Sequence, residues 1–291
     1  MLWDQAIGKL WPLHPEGFFS KIDKRSEHHL AAESGGQLAG FIAVSQGEES
    51  IGSIFVILVR PDLQGQGVGG RLLEGAMENL REAGVREVKF GQGGPYFWPG
   101  VPLNLPGAVR FFEKRGWEKG VITKDMTADL DKVQVPPDIR SRLEGCGARL
   151  RLATSKDAHS ILEFEKKHFP DWYEVARERV KNGDFASILL ASVEGQLVGT
   201  NFLTFPDGPH YRAALIWQRL LGGDTGAYGC LGVSEEMRGR YIGYALAIKA
   251  DQLLRARGSK KNFLGWVFSV EWYERLGYRV WRDYQEMSAK L

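Results

Sequence analysis

The chain repeats itself. "GQLAG" at 36–40 returns as "GQLVG" at 195–199, each between two apolar runs, "HHLAAES" and "FIAVS" in one place, "SILLASVE" and "TNFLTF" in the other. "VRPDLQGQGVGGRLL" (59–73) lines up without gaps on "VSEEMRGRYIGYALA" (233–247), and the alignment runs on until "REAG", ending at Gly84, meets "RARG", ending at Gly258. "AVRFFEKRGW" (108–117) then matches "SVEWYERLGY" (269–278). Three anchors in one order make a duplication, so a single fold must satisfy both halves.

Each copy reads as helix, hairpin, strand, glycine turn, helix, strand, helix, strand, with glycine at the hairpin turn. After the turn, Val68, Leu72, Leu73, Ala76, Met77 and Leu80 form one apolar stripe at helical spacing, while Glu74, Glu78 and Glu82 line another face. Gly84 supplies the stop. Ile242, Leu246, Ala250, Leu253 and Gly258 repeat the pattern. These stripes are core packing. The copies differ in their insertions: "GQGGPYFWPGVPLNLPG" (91–107) follows the first copy's helix, and "PDGPHYRAALIWQRLLGGDTG" (206–226) follows the second copy's hairpin. "DKVQVPPDIRSRLEGCG" (131–147), with its Pro-Pro pair and charges, has the look of a linker. The expected units are residues 1–132, a linker at 133–147, and residues 148–291.

Composition removes several classes of function. A formal net charge of +2 is too balanced for a protein that coats nucleic acid, and the basic run "RARGSKK" (255–261) reads as a solvated helix end. Cys146 and Cys230 are far apart, without metal or disulfide spacing. His28 and His29 are adjacent in a predicted strand and point to opposite faces, and His14, His159, His168 and His210 show no ligand spacing, so no metal is expected. No apolar run approaches the roughly 20 residues that span a bilayer, and the charged, proline-broken N-terminus is expected to be neither signal peptide nor anchor. The expected location is the cytoplasm.

The stretch at 64–70 places four glycines where a helix starts, although each costs about 1 kcal/mol against alanine inside a helix. A helix N-terminus offers free N–H groups and about half a positive charge, and removing side chains lets a phosphate reach the backbone. No GxxxxGK[ST] run is present. Gly65, Gly67 and Gly70 do spell GxGxxG, but an antiparallel hairpin precedes them and the second copy lacks these glycines, which argues against a dinucleotide fingerprint.

Taken together, the turn resembles the acyl-CoA pyrophosphate loop of the GNAT superfamily of N-acetyltransferases, Q/R-x-x-G-x-G/A after a strand, with Gln64, Gly67 and Gly69 at its fixed positions. "AVRFFEKRGW" and "SVEWYERLGY" resemble that family's A-x-x-x-Y-x-x-x-G-F/Y helix. The resemblance covers nearly the whole chain, as a tandem pair organised like mycothiol synthases. It implies two α/β domains, each a mixed, mostly antiparallel sheet flanked by helices, the first with its opening strand short or missing. It also implies acetyl-CoA as co-substrate. Gln64, Gly65, Gln66, Gly67, Val68, Gly69 and Gly70 would grip the pyrophosphate, while Leu58 and Val59 pair with the pantetheine amides. Val233, Arg238, Gly239, Arg240, Ile242 and Gly243 are the matching residues of the second copy.

The copies are unequal. Tyr241 stands where the first motif glycine belongs; a side chain there crowds the phosphates, or is tolerated if its φ stays negative. Conversely, the family's acid tyrosine falls on Tyr273 in the second copy and on Phe112 in the first. Tyr273 also reads as plain helix core. Either the second copy catalyses with a relaxed turn, or the first does so without this acid. Glu48, Glu49 and Asp224 are base candidates by their place near the strands preceding the turns, and equally read as solvated loop residues. Tyr96, Phe97 and Trp98 read as an acceptor-stacking lip or as a plug between domains. The expected reaction is direct acetyl transfer to the primary amine of a small molecule, by a monomer whose halves replace a dimer, or by a homodimer. The alternatives are a non-catalytic acyl-CoA-binding module and a protein-directed acetyltransferase, the latter disfavoured by loops that narrow the cleft.

Overall fold

The computed structural model describes residues 1–22, 28–47, 50–91, 97–209 and 215–291. The first half runs α1 (Leu2–Ala6), α2 (Pro15–Ile22), β1 (Leu30–Ser34), β2 (Gln37–Gln46), β3 (Ile51–Val59), α3 (Val68–Glu82), β4 (Glu87–Phe90), β5 (Val101–Pro102), α4 (Pro106–Glu113) and β6 (Glu118–Asp129). A short helix, α5 (Pro137–Leu143), follows. The second half runs β7 (Arg149–Leu152), α6 (Ala158–His168), α7 (Tyr173–Lys181), β8 (Ile188–Val193), β9 (Gln196–Thr204), α8 (Gln218–Leu221), β10 (Thr225–Val233), α9 (Ile242–Ala256), β11 (Lys261–Val267), α10 (Val270–Glu274) and β12 (Arg279–Lys290). The expected order of hairpin, strand, glycine turn, helix, strand, helix and strand is observed in both halves; the structure adds a second helix at the start of each, the short β5 and α8 in the insertions, and β7 ahead of the second half's helices. β7 has no counterpart among the described residues of the first half. His28 and His29 lie ahead of β1 rather than within it, which corrects their expected place in a strand.

Among the described residues the strands form one continuous sheet in the order β1-β2-β3-β4-β12-β6-β11-β10-β9-β8-β7, with β5 also paired to β12. Among the described strands only β3–β4 and β10–β11 are parallel; the sheet is mixed and mostly antiparallel. The halves exchange their last strands. β12 of the second half lies between β4 and β6, and β6 of the first half lies between β12 and β11. One buried carboxylate fastens the exchange: Asp125 on β6 accepts the Trp266 N–H from β11 at 2.9 Å and the Tyr284 hydroxyl from β12 at 2.6 Å.

The helical stripes face the sheet as their spacing predicts. Val68, Leu72, Leu73, Ala76 and Leu80 of α3 are buried, as are Ile242, Leu246 and Ala250 of α9; Met77 and Leu253 are only half-buried at the edge of their stripes, and Leu254 rather than Leu253 is the buried residue of the last turn of α9. A second apolar layer under α6 and α7, with Ile161, Ala176, Ile188, Leu190 and Phe202, covers the other face of the second half. No helix among the described residues is long and apolar enough to cross a membrane.

Candidate active site

The two turns share one backbone. After β3, a 3₁₀ turn at Pro61–Leu63 leads to Gln64, whose Nε2 donates to the Val59 carbonyl at 3.0 Å. After β10, the turn at Glu235–Met237 leads to Arg238, whose Nε donates to the Val233 carbonyl at 3.4 Å. Gly65 and Gly239 both take positive φ, 76° and 77°. Next comes the residue before each helix, Gly67 at φ 81° and Tyr241 at φ 63°. Tyr241 therefore does not keep a negative φ. A bulky residue is held in the left-handed region, at a cost of about 1–2 kcal/mol, with its ring beside Tyr244 and beneath the Arg142 guanidinium of α5. No side chain caps α3 or α9, so the amides that open both helices point outward unpaired by caps, the arrangement that receives an anion. Phe111 lies 3.3 Å from where a Cβ on Gly69 would sit, and Trp272 lies 3.5 Å from the same point on Gly243. The second half thus reproduces the first, aromatic cover included.

The strands before the turns part from their parallel neighbours. β3 stays with β4 only as far as the Ile54–Phe90 pair, and β10 with β11 only as far as Ala227–Phe263. Leu58, Val59 and Val233 lie beyond these points, on backbone left unpaired on that side. β10 also bulges between Gly229 and Gly232, where Cys230 takes φ 51°.

The clefts are filled differently. In the first half, Phe97 and Trp98 are each 2% exposed. Trp98 stacks on Trp3 (5.4 Å, 10°) and on Trp217 (5.5 Å, 20°), which also lie 6.2 Å from each other, and Phe97 stacks on Phe18 at 5.5 Å. These two aromatics form the plug between the halves and offer no solvent-facing lip; Tyr96 lies outside the described residues. Phe112 is completely buried against Phe90 and Trp117.

In the second half Tyr273 is half-buried, its ring 6.4 Å from Tyr228 and 5.6 Å from Tyr278. Its hydroxyl makes no hydrogen bond to a described residue, and burial, with Asp251 nearby, raises its pKa, so it stays protonated. Behind it lies a buried polar network that the sequence reading missed. The Tyr278 hydroxyl donates to Asp251 Oδ1 at 2.6 Å, Asn262 Nδ2 donates to the same oxygen at 2.8 Å, and the Tyr228 and Tyr278 hydroxyls are 3.2 Å apart. Burial pushes Asp251 up to about 7 against the pull of these donors. On the opposite face of the sheet, under α6, Thr200 Oγ1 donates to the buried Glu165 at 2.6 Å.

The duplication supplied the signal. The first-half residues aligned with Tyr228, Asp251, Asn262, Tyr273, Tyr278 and Thr200 are Ile54, Met77, Val88, Phe112, Trp117 and Phe41. The fold packs with apolar side chains at every one of these places. Burying polar groups instead is costly unless each is paired, so their confinement to the second half sets that half apart as the candidate. The suggested bases fare differently. Glu48 and Glu49 lie outside the described residues. Asp224 sits before the paired end of β10, away from the cleft, 3.6 Å from the Lys260 amine.

The model of the acetyltransferase (GNAT) family matches residues 2–117 and 151–278. The mycothiol acetyltransferase of Saccharopolyspora erythraea is 21% identical over 277 residues, covering 88% of this chain and 83% of the relative. That of Beutenbergia cavernae is 28% identical over 250 residues, covering 80% and 72%. Among solved structures, one is described as a GCN5-related glucosamine N-acetyltransferase region in a fungal multi-domain GH3 β-N-acetylglucosaminidase. It superposes with a TM-score of 0.91 at 30% identity, over 99% of this chain and 36% of that longer one. A tandem GNAT protein from the clavulanic acid biosynthesis pathway follows the same fold, with a TM-score of 0.66 at 14% identity over 99% of this chain and 93% of its own. With both halves matched by the family and its fold present twice, the chain belongs to the acetyltransferase (GNAT) family and is a tandem N-acetyltransferase.

Proposed function

We propose that the second half transfers an acetyl group from acetyl-CoA to the primary amine of a small molecule, an amino sugar of the glucosamine type. The observation that carries the choice of half is the polar network around Tyr273, set against an aromatic plug in the first half's cleft. The choice of acceptor draws on the glucosamine N-acetyltransferase region, similar over 99% of this chain; the mycothiol acetyltransferases among its relatives support a small-molecule acceptor.

The residues present fit the coenzyme. Amides at the start of α9, together with Gly239, face outward for a pyrophosphate, and Arg238 and Arg240 add positive charge beside them. The unpaired backbone of β10 up to Val233 offers partners for the amides of the pantetheine arm, aiming a thioester toward the bulge at Cys230. Tyr273 donates its proton to the departing sulfur. Cys230 is no acyl carrier: burial, with Glu165 nearby, pushes its thiol up to about 12, and a thiol kept protonated is a poor nucleophile. Transfer is direct. The turn at 64–70 is a second cradle of the same shape, in a half where Phe97 and Trp98 are packed into the core.

The test is calorimetric titration of acetyl-CoA into wild type, Gly67→Trp and Gly243→Trp, with glucosamine acetylation followed in parallel. Turnover lost only in a folded Gly243→Trp protein supports the reading. Turnover lost only in Gly67→Trp assigns catalysis to the first half and overturns it.

A further inference from the structure

Glu165 lies on the side of α6 that packs on the sheet and is 0% exposed. Oε1 takes the Thr200 hydroxyl from β9 at 2.6 Å, while Oε2 is buried with no partner. Three elements surround it. From β10, the Cys230 thiol on the bulge is close enough to feel its charge. From β9, Thr200 is the sole hydrogen-bond donor to it among the described residues. From α7, the Arg179 guanidinium faces the same thiol but is engaged by the Leu203 carbonyl at 2.7 Å, by Ser187 and by Asp184 at 3.5 Å. Among the described residues no cation lies within ion-pair distance of Glu165.

A buried carboxylate with one idle oxygen costs stability, and here it adjoins a strand segment that departs from both neighbours. β10 leaves β11 after Ala227 and bulges away from β9 between Gly229 and Gly232. A thioester aimed inward along this strand arrives at that bulge. The first half has Phe41 and Val56 at the places of Thr200 and Cys230, so it offers no polar group there.

We propose that Glu165 is the base that takes the proton from the acceptor amine, an inference that rests on the function proposed above. One ammonium proton passes to Glu165 Oε2. The freed nitrogen lone pair forms the C–N bond to the thioester carbon, and the C–S electron pair leaves with sulfur. Sulfur takes the Tyr273 proton, and the tyrosinate recovers the second proton from the new amide nitrogen. Glu165 then releases its proton to solvent, so one proton is set free per turnover. Burial pushes this carboxyl up to about 7 despite the Thr200 hydrogen bond, which suits a base working near neutrality.

The experiment measures kcat against pH for the full chain with acetyl-CoA and glucosamine, in wild type, Glu165→Gln and Thr200→Val. Thermal melts and acetyl-CoA calorimetry accompany each variant. Using kcat separates the enzyme's limb from the free acceptor's own titration. The wild-type limb is expected near pH 7. Glu165→Gln should lose that limb and roughly 10²-fold or more of kcat, with acetyl-CoA affinity within a few-fold of wild type. Thr200→Val, lacking the hydroxyl that favours the ionised form, should move the limb to higher pH. A folded Glu165→Gln protein with wild-type kcat and limb overturns the proposal and leaves the proposed function standing. If that variant does not fold, an unmoved limb in Thr200→Val overturns it. Wild-type protein that binds acetyl-CoA but acetylates no amine overturns the functional reading, and this base with it.

Discussion

Trp98 of the first half's insertion and Trp217 of the second's stack with ring centroids 5.5 Å apart and planes 20° from parallel. The two segments by which the copies differ are thus the two that lock the copies together. Trp217→Ala removes a ring that also meets Trp11 at 4.6 Å and should cost about 3–5 kcal/mol. Trp98→Ala should cost a similar amount, and the double variant about 1 kcal/mol less than the sum. Urea unfolding of the cycle measures this; strict additivity would mean that the stack is incidental.

The exchange of β6 and β12 makes each half's sheet incomplete without the other. Unfolding should therefore be one cooperative transition despite the duplicated sequence. Differential scanning calorimetry reads it directly. Two separated endotherms, one removed by substitutions at Trp3 or Leu80 and the other untouched, would contradict the shared sheet.

Local chemistry was legible from sequence. Hairpins, glycine turns and the stripes on α3 and α9 follow from periodicity and turn residues, and two copies confirm each other. The strand exchange was not legible, because β6 and β12 have similar patterns and the choice of neighbour depends on contacts far apart in sequence. Phe97 and Trp98 could be read as lip or plug because their burial is completed by Trp217, more than a hundred positions away. Glu165 had a signal that went unused: it lies four residues after Ile161, on the apolar side of a helix, where a carboxylate is out of place. The aligned apolar residues of the first half could have exposed Asp251 and Asn262 in the same way.

Tyr241 tests the strained turn. Tyr241→Ala keeps the left-handed φ and loses the ring contacts with Tyr244 and Arg142, so it should destabilise by about 1 kcal/mol. Tyr241→Gly loses the same contacts but removes a strain of about 1–2 kcal/mol, and should match wild type or exceed it slightly. Thermal melts of the pair give the ordering. Alanine as stable as glycine would show that the φ of 63° carries no cost here.

Tyr273→Phe separates chemistry from packing. The hydroxyl makes no hydrogen bond to a described residue, so its removal should change stability by less than about 0.5 kcal/mol. Loss of an acid should lower kcat by roughly 10²-fold while acetyl-CoA affinity holds. Stopped-flow or steady-state release of CoA measures the rate. A wild-type kcat in this variant would return Tyr273 to the role of helix core.

The pH dependence of stability follows from three buried carboxyls. Asp125, Glu165 and Asp251 are each pushed up to about 7 by burial, against ordinary values near 4. Between those values the folded chain holds protons that the unfolded chain has released. Stability therefore falls as pH rises across this window, by up to about 1.4 kcal/mol per pH unit for each group. The favourable contribution is complete below about pH 4 and gone above about pH 7. Asp157 acts in the opposite sense: its hydrogen bonds from Arg151, and then those from Thr154, hold its carboxyl below the usual range, so its stabilisation fades only as pH falls below the ordinary carboxylate value. The two windows barely overlap, and Asp251→Asn isolates one of the three. Its stability, measured by urea unfolding at steps from pH 4.5 to 8, should fall less steeply than that of wild type. The gap between the two slopes should close above about pH 7. Parallel curves throughout would mean that Asp251 is already ionised at the acid end, held so by Tyr278 and Asn262.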